Sequence, residues 1–439
     1  MSNTSELKRT LTPAMVWGLG VGYVISGMYF GWNLGLEKGG TLGLAIATGV
    51  VIVMCVTFTF SYAELSCAIP KAGGAFDYAK RALGNDLGFI AGIAQSIEFI
   101  FAPPAIALAI GSYFNLLFPA IPDLVFALIA YGVFTALNIY GVKTAAIVEL
   151  LITLLAVGEL LLFSGIVLPN LEWANLTRNS FPHGWPGVFA SLPFAFWFFL
   201  GIEGIANVAE EAINPTRTIL IGFTSAIVTL VILSQVTLIS SVGIGGWEAV
   251  VYNPNGTTSD SPLPLAMGQV IGGHPFMFHL LVMVGLFGLI ASFHGLMLAG
   301  GRSSFEFGRM KFAPAFLGKI NARFQTPANA LLANMVIGII ALLTGKTGMI
   351  ITLSVFGALT LYIVSMVSLL RLRKTEPELH RPFVVPYYPI TPIVALIVAG
   401  LSIIAVAVYN FTLAVLYLLV VIFSLGIFKL WNRRPAKNK

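Results

Sequence analysis

The sequence predicts an all-α polytopic membrane protein with twelve transmembrane helices. Three observations support this fold class. The 439 residues are 57% hydrophobic and only 10% charged, whereas soluble domains carry about 25% charged residues. The mean hydropathy is +0.91, and the apolar residues fall into runs of roughly 20 or more, the length needed to cross a bilayer. Two of these runs are interrupted at their centres by glycine and polar residues.

Each predicted span is an apolar run that contains few charged residues. The runs place the spans at 14–36, 41–69, 87–118, 122–140, 144–169, 187–211, 217–245, 265–300, 328–345, 348–371, 388–409 and 411–431. The longest connections, 246–264 and 302–327, are too short to fold as separate soluble domains.

The first and sixth spans contain the two interruptions. The first break covers residues 22–31 and combines glycines with Ser26, and the second covers 196–204, where Gly201 and Gly204 flank Glu203. Backbone within a bilayer must satisfy its own polar groups, so a broken helix is tolerated only where it packs in protein or lines a cavity. For the first break, a glycine-rich packing face is the alternative.

The positions of the breaks predict the domain organisation, because spans one and six correspond when two five-span halves repeat in inverted orientation. Such a repeat places a substrate site between the breaks. We therefore expect a leader at 1–13, a first repeat at 14–169, a second repeat at 187–371, two peripheral spans at 388–431 and a basic tail at 432–439.

The distribution of positive charge predicts the orientation. With the N-terminus inside, all but three of the 24 Lys and Arg residues lie on the inner side, and the exceptions are Lys38, Arg178 and Lys346. The positive-inside rule then predicts cytoplasmic N- and C-termini in the cytoplasmic membrane. The net charge of +6 reflects this topology and needs no nucleic-acid partner. Residues 1–6 are polar and do not resemble a signal peptide.

The second break carries the strongest candidate residue. A carboxylate at the depth of Glu203 is costly and usually marks an ion, proton or substrate path, although a structural Glu bonded to unwound amides is the alternative. Trp197 and Phe199 precede it, and aromatic rings beside a carboxylate suit an organic cation. We expect Tyr29 to wall the same site. Backbone carbonyls near Ile25, Ser26, Gly27 and Gly201 would accept from the cation.

Further ionisable residues lie within the spans. Glu98 in span three is expected to face the cavity, and it or Ser26 would meet a substrate hydroxyl. Glu159 in span five and His294 in span eight are candidates for coupling, since histidine titrates near neutral pH, with packing as the alternative for His294. Glu210 and Glu211 end span six. They would pair with Lys or Arg in one state only, as a gate, or form a solvated helix end.

Several function classes lack their signatures in this sequence. A Gly-x-x-x-x-Gly-Lys-Ser/Thr phosphate loop is absent, so nothing predicts ATP-driven pumping. No His/Cys cluster has metal spacing, and no nucleophile stands beside a base in a catalytic pattern. We expect neither an enzyme nor a bound metal or cofactor, and the sequence leaves the oligomeric state open.

Several motifs in order resemble the amino acid–polyamine–organocation superfamily over nearly the whole chain. They are Ser26-Gly27, Glu64-Leu65 with residues 69–78, residues 138–143, residues 199–203 with 209–217, and Arg302, Arg309 and Thr326-Pro327. Within the superfamily, residues 29–40 are most similar to the ethanolamine permeases. The resemblance implies a secondary transporter that imports a small organic amine, ethanolamine, by alternating access.

Two departures from the superfamily pattern concern substrate and coupling. Its amino-acid carriers typically have Gly-Ser-Gly in the first break, whose amides receive the substrate carboxylate, whereas this chain has Ile25-Ser26-Gly27. Isoleucine restricts the backbone, which fits an amine without a carboxylate. Some relatives carry a sodium-replacing lysine in span five, where Ala156 stands here, so the coupling ion, proton or sodium, stays open. The rival predictions are an amino-acid carrier or exchanger of the same fold, and a sensor or channel.

Overall fold

The computed structural model describes residues 9–71, 73–140, 145–271 and 275–432. Within these ranges the chain is helical, with two isolated β-bridges, Leu11 with Ala212 and Tyr252 with Thr258. The predicted all-α class is therefore confirmed. The predictions that concern residues 1–8, Lys143 and the tail from 433 onward lie outside the described residues.

The helices follow the predicted spans closely. They are α1 (Pro13–Val24), α2 (Ser26–Tyr29), α3 (Asn33–Ala68), α4 (Ala75–Leu83), α5 (Asn85–Leu117), α6 (Asp123–Tyr140), α7 (Ala145–Val167), α8 (Trp173–Thr177), α9 (Gly184–Trp197), α10 (Pro215–Gly245), α11 (Glu248–Val251), α12 (Pro262–Ile271), α13 (Pro275–Arg309), α14 (Ala328–Leu342), α15 (Thr347–Thr375), α16 (Ile390–Tyr409) and α17 (Phe411–Asn432). Two 3₁₀ segments cover Leu168–Asn170 and Ile202–Glu211.

Ten helices of the described chain are long and apolar enough to cross a membrane. The chain is therefore a polytopic membrane protein. The predicted spans 14–36 and 328–345 correspond to shorter helices, α1 with 12 residues and α14 with 15. At 1.5 Å per residue, α14 is about 22 Å long, which is less than the hydrocarbon thickness of a bilayer.

Two predicted boundaries were wrong. The predicted span 265–300 ends too early, since α13 continues past residue 300 to Arg309, and the part of the span at 272–274 lies outside the described residues. The extra turns of α13 are stabilised by ion pairs, Arg302 with Glu211 and Arg309 with Glu306. The junction between the first two spans lies inside α3, where Gly40 has φ 66°. A side chain is strained at that φ, and glycine is not.

The broken helices lie at the centre of the molecule. The first, α1, packs against α7, α10 and α13, and α9 packs against α3 and α15. The outer helices α16 and α17 keep large exposed apolar side chains such as Leu401, Ile404 and Phe423. These surfaces suit contact with lipid. The structure thus surrounds the two breaks with other helices and leaves the peripheral helices facing outward.

Candidate functional site

The first break has two parts. The helix is slightly interrupted, and about one helical turn later the chain bends sharply. Ile25 separates α1 from α2, and its own φ and ψ of −60° and −23° stay near helical values. The larger departure comes at Phe30, which is extended, and at Gly31, with φ 86°. The break therefore falls within the predicted residues 22–31, and its sharpest bend lies at their C-terminal edge.

A serine from another helix bridges the interruption at Ile25. The backbone N–H of Ser26 donates to Ser292 Oγ at 2.9 Å, and the Ser292 hydroxyl donates to the carbonyl of Gly22 at 2.6 Å. A direct bond from residue 26 to residue 22 would be the usual helical arrangement. The hydroxyl of α13 thus replaces a helical hydrogen bond of α1, which satisfies the backbone where no water or lipid would do so.

The second break lies where the sequence predicts it. The α-helix α9 ends at Trp197, Gly201 adopts the left-handed conformation with φ 99°, and a 3₁₀ helix runs from Ile202 to Glu211. Only glycine adopts such a φ without steric cost. The change to 3₁₀ geometry, which is unusual over ten residues, makes this half of the span narrower and aims Glu203 into the protein, where it is 2% exposed.

The two breaks touch each other. Gly27 packs so closely against the carbonyl of Trp197 and the backbone of Phe198 that any side chain at residue 27 would overlap them. The ring of Phe30 meets Trp197 edge to face at 5.4 Å, and Trp32 stacks on Phe198 at 5.8 Å between centroids. The break residues are thus held together by backbone contact and by paired aromatic rings.

Two carboxyl groups face each other beside this junction. Glu203 Oε2 accepts a hydrogen bond from the hydroxyl of Tyr362 at 3.0 Å. The carboxyl group of Glu98, from α5, is close enough to Glu203 for the two to interact, and the backbone at Gly201 lies near both. Glu203 Oε1 and both oxygens of Glu98 make no well-aligned hydrogen bond to the rest of the described chain, so their nearest polar neighbours are each other and the backbone of Gly201.

Tyr29 faces away from this pair. Its hydroxyl donates to the carbonyl of Ala156 at 2.8 Å, its ring packs on Gly288, and its own carbonyl accepts from the hydroxyl of Tyr113 at 3.1 Å. Glu159 lies beside the Tyr29 hydroxyl. Tyr29 and Glu159 therefore belong to a second polar cluster, between α5, α7 and α13, and the structure does not bring Tyr29 to Trp197.

The other aromatic residues of the second break stay near its junction. Phe199 is fully buried, and its ring lies 6.3 Å from that of Phe198. Trp197 is also buried, and no acceptor in the described chain lies within hydrogen-bond distance of its indole Nε1. A buried indole N–H usually has a partner, so this donor is available to a bound molecule.

The end of the molecule that carries the N-terminus, here called the N-terminal face, is closed by main-chain and side-chain contacts. The backbone N–H groups of Thr10 and Leu11 donate to the carbonyl of Glu211, and Leu11 forms a parallel bridge with Ala212. Glu211 also pairs with Arg302 at 2.9 Å. These contacts join the segment before the first broken helix, α1, to the C-terminal end of the 3₁₀ helix of the second.

Glu210 lies in a different environment from Glu211. It is close enough to Asp77, in the connection before α5, to affect the pKa of that residue. Burial raises the pKa of Asp77, Lys71 and Lys80 oppose the rise, and the charge of Glu210 adds to it. The two consecutive glutamates therefore act on different groups of the N-terminal face, Glu210 on Asp77 and Glu211 on Arg302.

His294 belongs to a pair that sequence reasoning does not connect. Its Nδ1 lies 3.3 Å from Glu149 Oε2, and both residues border a cavity of about 120 Å³ that also contacts Glu211 and Arg302. In the sequence, Glu149 is only a charge in span five, because its partner lies 145 residues away. Ser292 was missed for the same reason, although it stands two residues before His294.

A larger cavity, of about 680 Å³, lies on the opposite face of the molecule. Its lining includes Glu37, Lys38, Asp260 and Lys346. Burial raises the pKa of Asp260 to about 6, although the hydroxyl of Thr347 donates to its carboxylate at 2.8 Å. This face thus carries the larger of the two cavities, with charged residues in its lining, and the N-terminal face carries the smaller one.

Comparison with known proteins places the chain in a family. The amino acid permease model matches residues 12–428. An uncharacterized transporter of Rhizobium meliloti (strain 1021) is 27% identical over 91% of this chain and 87% of its own length. The methylthioribose transporter of Bacillus subtilis (strain 168) is 27% identical over 90% and 87%, and the branched-chain amino acid permease of that organism is 24% identical over 99% and 96%.

The family match covers both breaks and all ten long helices except the last residues of α17. It confirms, at the level of the superfamily, the resemblance seen in the sequence motifs. The similar proteins named above are transporters or permeases. This chain belongs to the amino acid permease family of integral membrane transport proteins.

Proposed function

We propose that this protein is a secondary transporter that imports a small protonated amine, ethanolamine, across the cytoplasmic membrane by alternating access. The proposal includes twelve spans, arranged as repeats 14–169 and 187–371 in inverted orientation with peripheral spans in 388–431. The N-terminal face would be cytoplasmic, in line with the charge bias of the sequence. No ATP or bound metal is part of this mechanism.

The observation that carries the proposal is the buried pair of Glu98 and Glu203. Two carboxyl groups in a low-dielectric interior repel each other when both are ionised, and each loses its hydration. No Lys or Arg of the described chain forms an ion pair with either of them, and three of their four oxygens have only the other carboxyl group and the backbone of Gly201 nearby, without a well-aligned hydrogen bond. A protonated amine would supply the missing positive charge and up to three N–H donors.

The surroundings favour ethanolamine over a bare ammonium group. Primary amines are protonated at neutral pH, and the aromatic rings of the junction suit an organic cation. The unpartnered indole N–H of Trp197 is a donor for which the hydroxyl oxygen of an amino alcohol is an acceptor. Carboxyl acceptors and an indole donor together match a molecule with an ammonium at one end and a hydroxyl at the other.

The first break also disfavours a substrate carboxylate. Three amides of this break are already engaged, since the N–H of Ile25 donates to the Val21 carbonyl, that of Ser26 to Ser292 Oγ and that of Met28 to the Ile25 carbonyl. Binding the carboxylate of an amino acid to these amides would break those hydrogen bonds. This reasoning supports selection of the amine over the matching amino acid.

Labelled-ethanolamine counterflow in proteoliposomes tests the proposal. We expect unlabelled ethanolamine and other small amino alcohols to compete, and serine and alanine to compete at least about tenfold less well, a difference of about 1.4 kcal/mol. Serine that competes as well as ethanolamine would refute amine selectivity and favour an amino-acid carrier, as the name of the branched-chain relative describes that protein. Binding of ethanolamine to purified protein without counterflow would favour a sensor instead.

A further inference from the structure

The cavity on the N-terminal face is bordered by a cluster of ionisable groups that the proposed substrate site does not use. Glu149 comes from α7, His294 and Arg302 from α13, Tyr23 from α1 and Glu211 from the 3₁₀ helix of the second break. The volume of about 120 Å³ is enough for several water molecules. The cavity therefore connects a titratable cluster with both broken helices.

Glu149 and His294 form a pair that depends on one exchangeable proton. The Glu149 side chain is 3% exposed and that of His294 is 15% exposed. Glu149 Oε2 lies 3.3 Å from His294 Nδ1, and Glu149 Oε1 has no partner among the described residues. Thr153, whose hydroxyl is close by, donates to the carbonyl of Gly18 instead. Within the described chain, the imidazole is thus the hydrogen-bond partner of this buried carboxyl group.

The pair lies directly against the first broken helix. Gly22 contacts both the Glu149 carboxyl group and the Thr153 hydroxyl so closely that a side chain at residue 22 would overlap them. Gly22 is also the residue whose carbonyl Ser292 bridges. Any movement of α1 away from α7 and α13 would therefore expose the Glu149 carboxyl group to water from the cavity.

The other residues around the pair do not neutralise the Glu149 carboxylate. Arg302 pairs with Glu211 at 2.9 Å, so its charge is largely neutralised. The Tyr23 ring packs between Gly204 and Gly295. Phe134 of α6 contributes a ring 6.0 Å from the His294 imidazole and no charge. One additional proton on the Glu149–His294 pair would thus make this part of the α1 interface neutral, and without it the carboxylate carries a negative charge that no other described residue compensates.

We propose that the Glu149–His294 pair is the proton-coupling site of the transporter. The proposal rests on the proposed function and adds its driving ion. In the cycle that we propose, the pair takes up one proton from water, as an N–H or O–H bond, before the N-terminal face opens. The neutral pair allows α1 to pack closed. When the N-terminal face opens, water in the cavity takes the proton, and the bare carboxylate opposes reclosure until the next cycle.

Proteoliposomes with an imposed pH gradient and a clamped membrane potential test this coupling. We expect an alkaline interior to stimulate ethanolamine uptake by wild-type protein by at least about fivefold, the lower end of ordinary coupling between two sites. Glu149→Gln and His294→Gln should each lose the stimulation, whereas counterflow at equal pH should persist. His279→Gln is the matched control, because His279 lies on the same helix α13 and is exposed. It should behave as wild type.

A measurement without substrate separates this proposal from the proposed function. Infrared difference spectra of the purified protein between acid and neutral pH should contain a carboxyl band that Glu149→Gln removes and His294→Gln shifts. An unchanged band in Glu149→Gln, or full gradient stimulation in either variant, would overturn the coupling proposal. Absence of ethanolamine counterflow in the wild type, with the Glu149 band present, would refute the substrate assignment and leave the pair supported.

Discussion

Two buried carboxylate sites in this molecule have opposite surroundings. Glu64, at the end of α3, meets Arg373 in a two-pronged contact with both distances at 2.7 Å, lies 3.4 Å from Arg381 and accepts from the N–H of Val385 at 2.7 Å. Glu98 and Glu203 meet each other and Tyr362, with no basic residue paired to them in the described chain.

The comparison distinguishes a carboxylate that stabilises the fold, Glu64, from two carboxyl groups, Glu98 and Glu203, whose burial destabilises it. Charge-assisted, two-pronged contacts to arginine are among the stronger hydrogen bonds in proteins. At Glu64 they join α3 to α15 and to the segment before α16, where the Arg373 guanidinium also lies over the Tyr388 ring at 4.4 Å. An unpaired buried acid destabilises the protein, so the Glu98–Glu203 pair indicates a bound cation or proton.

Removing the Glu64 charge should have the largest effect on stability. Glu64→Gln keeps the shape of the side chain and leaves Arg373 and Arg381 without their counter-ion, and breaking a buried pair in this way costs about 3–5 kcal/mol. We expect a clear fall in the melting temperature of the purified protein. Glu376→Gln is the control, because Glu376 pairs with Arg81 at the surface, where ion pairs contribute about 0–1 kcal/mol. Equal losses in the two variants would contradict the comparison.

Removing the Glu203 charge should lower substrate affinity and leave the stability of the protein intact. Glu203→Gln is expected to weaken ethanolamine binding by about 5- to 150-fold, or about 1–3 kcal/mol, the range for a buried charge-assisted hydrogen bond. Its stability without substrate should be unchanged or higher, because the repulsion with Glu98 is removed. Titration calorimetry and melting curves on the same samples measure both quantities.

Glu172→Gln is the control variant for Glu203→Gln. Glu172→Gln removes an exposed carboxylate on the segment between α7 and α8 and should leave affinity and stability as in the wild type. Unchanged affinity in a well-folded Glu203→Gln protein would remove Glu203 from the substrate site. A marked loss of stability would instead place it with Glu64, as a residue that supports the fold.

The bridge across the first break is expected to matter less than either carboxylate site. Ser292→Ala leaves the N–H of Ser26 and the carbonyl of Gly22 without their partner, and an unsatisfied buried group costs about 1–3 kcal/mol. We expect faster hydrogen exchange of the amides near residues 22–28 and a modest fall in melting temperature. Ser303→Ala, on the same helix, is the control. If exchange near the break is identical in both variants, Ser292 does not stabilise it.

The sequence predicts the breaks well because their signal is local. Gly201, Glu203 and Gly204 stand within four residues, and a charge among glycines is rare inside an uninterrupted membrane helix. The fold class follows from composition in the same way. The C-terminal end of the predicted span 265–300 was placed too early, because the last turns of α13 contain Arg302, Glu306 and Arg309 and hydropathy alone does not extend a span over charged residues.

The hydrogen bonds and ion pairs that build these sites join residues that lie far apart in the sequence. Ser292 lies 266 residues from Ser26, and Arg373 lies 309 residues from Glu64. No spacing rule connects such pairs, since they depend on which helices pack together. The contacts of Tyr29 with α5, α7 and α13 are not readable from the sequence for a related reason. The break allows its side chain to turn toward α7 and α13, and the sequence does not specify that rotation.

Trp197 allows the smallest of these effects to be tested, because it is a neutral residue of the same break as Glu203. Its indole packs against Gly31 and Phe30 and has a free N–H donor within the described chain. Trp197→Phe keeps an aromatic face and loses the donor, so we expect affinity for ethanolamine to fall by about 0.5–1.5 kcal/mol, the value of one net hydrogen bond. Trp197→Ala should lose the ring contact as well, with about 0.5–2 kcal/mol more from cation–π attraction.

The substrate series makes this last prediction specific. Ethylamine lacks the hydroxyl group, so its binding should be equally strong in wild type and Trp197→Phe if the indole N–H serves that hydroxyl. A similar loss for ethylamine and ethanolamine would mean that the ring contact, and not the donor, is what Trp197 supplies. Wild-type affinity of purified, monodisperse Trp197→Ala for both amines would remove Trp197 from the site and leave the carboxyl pair alone to bind the substrate.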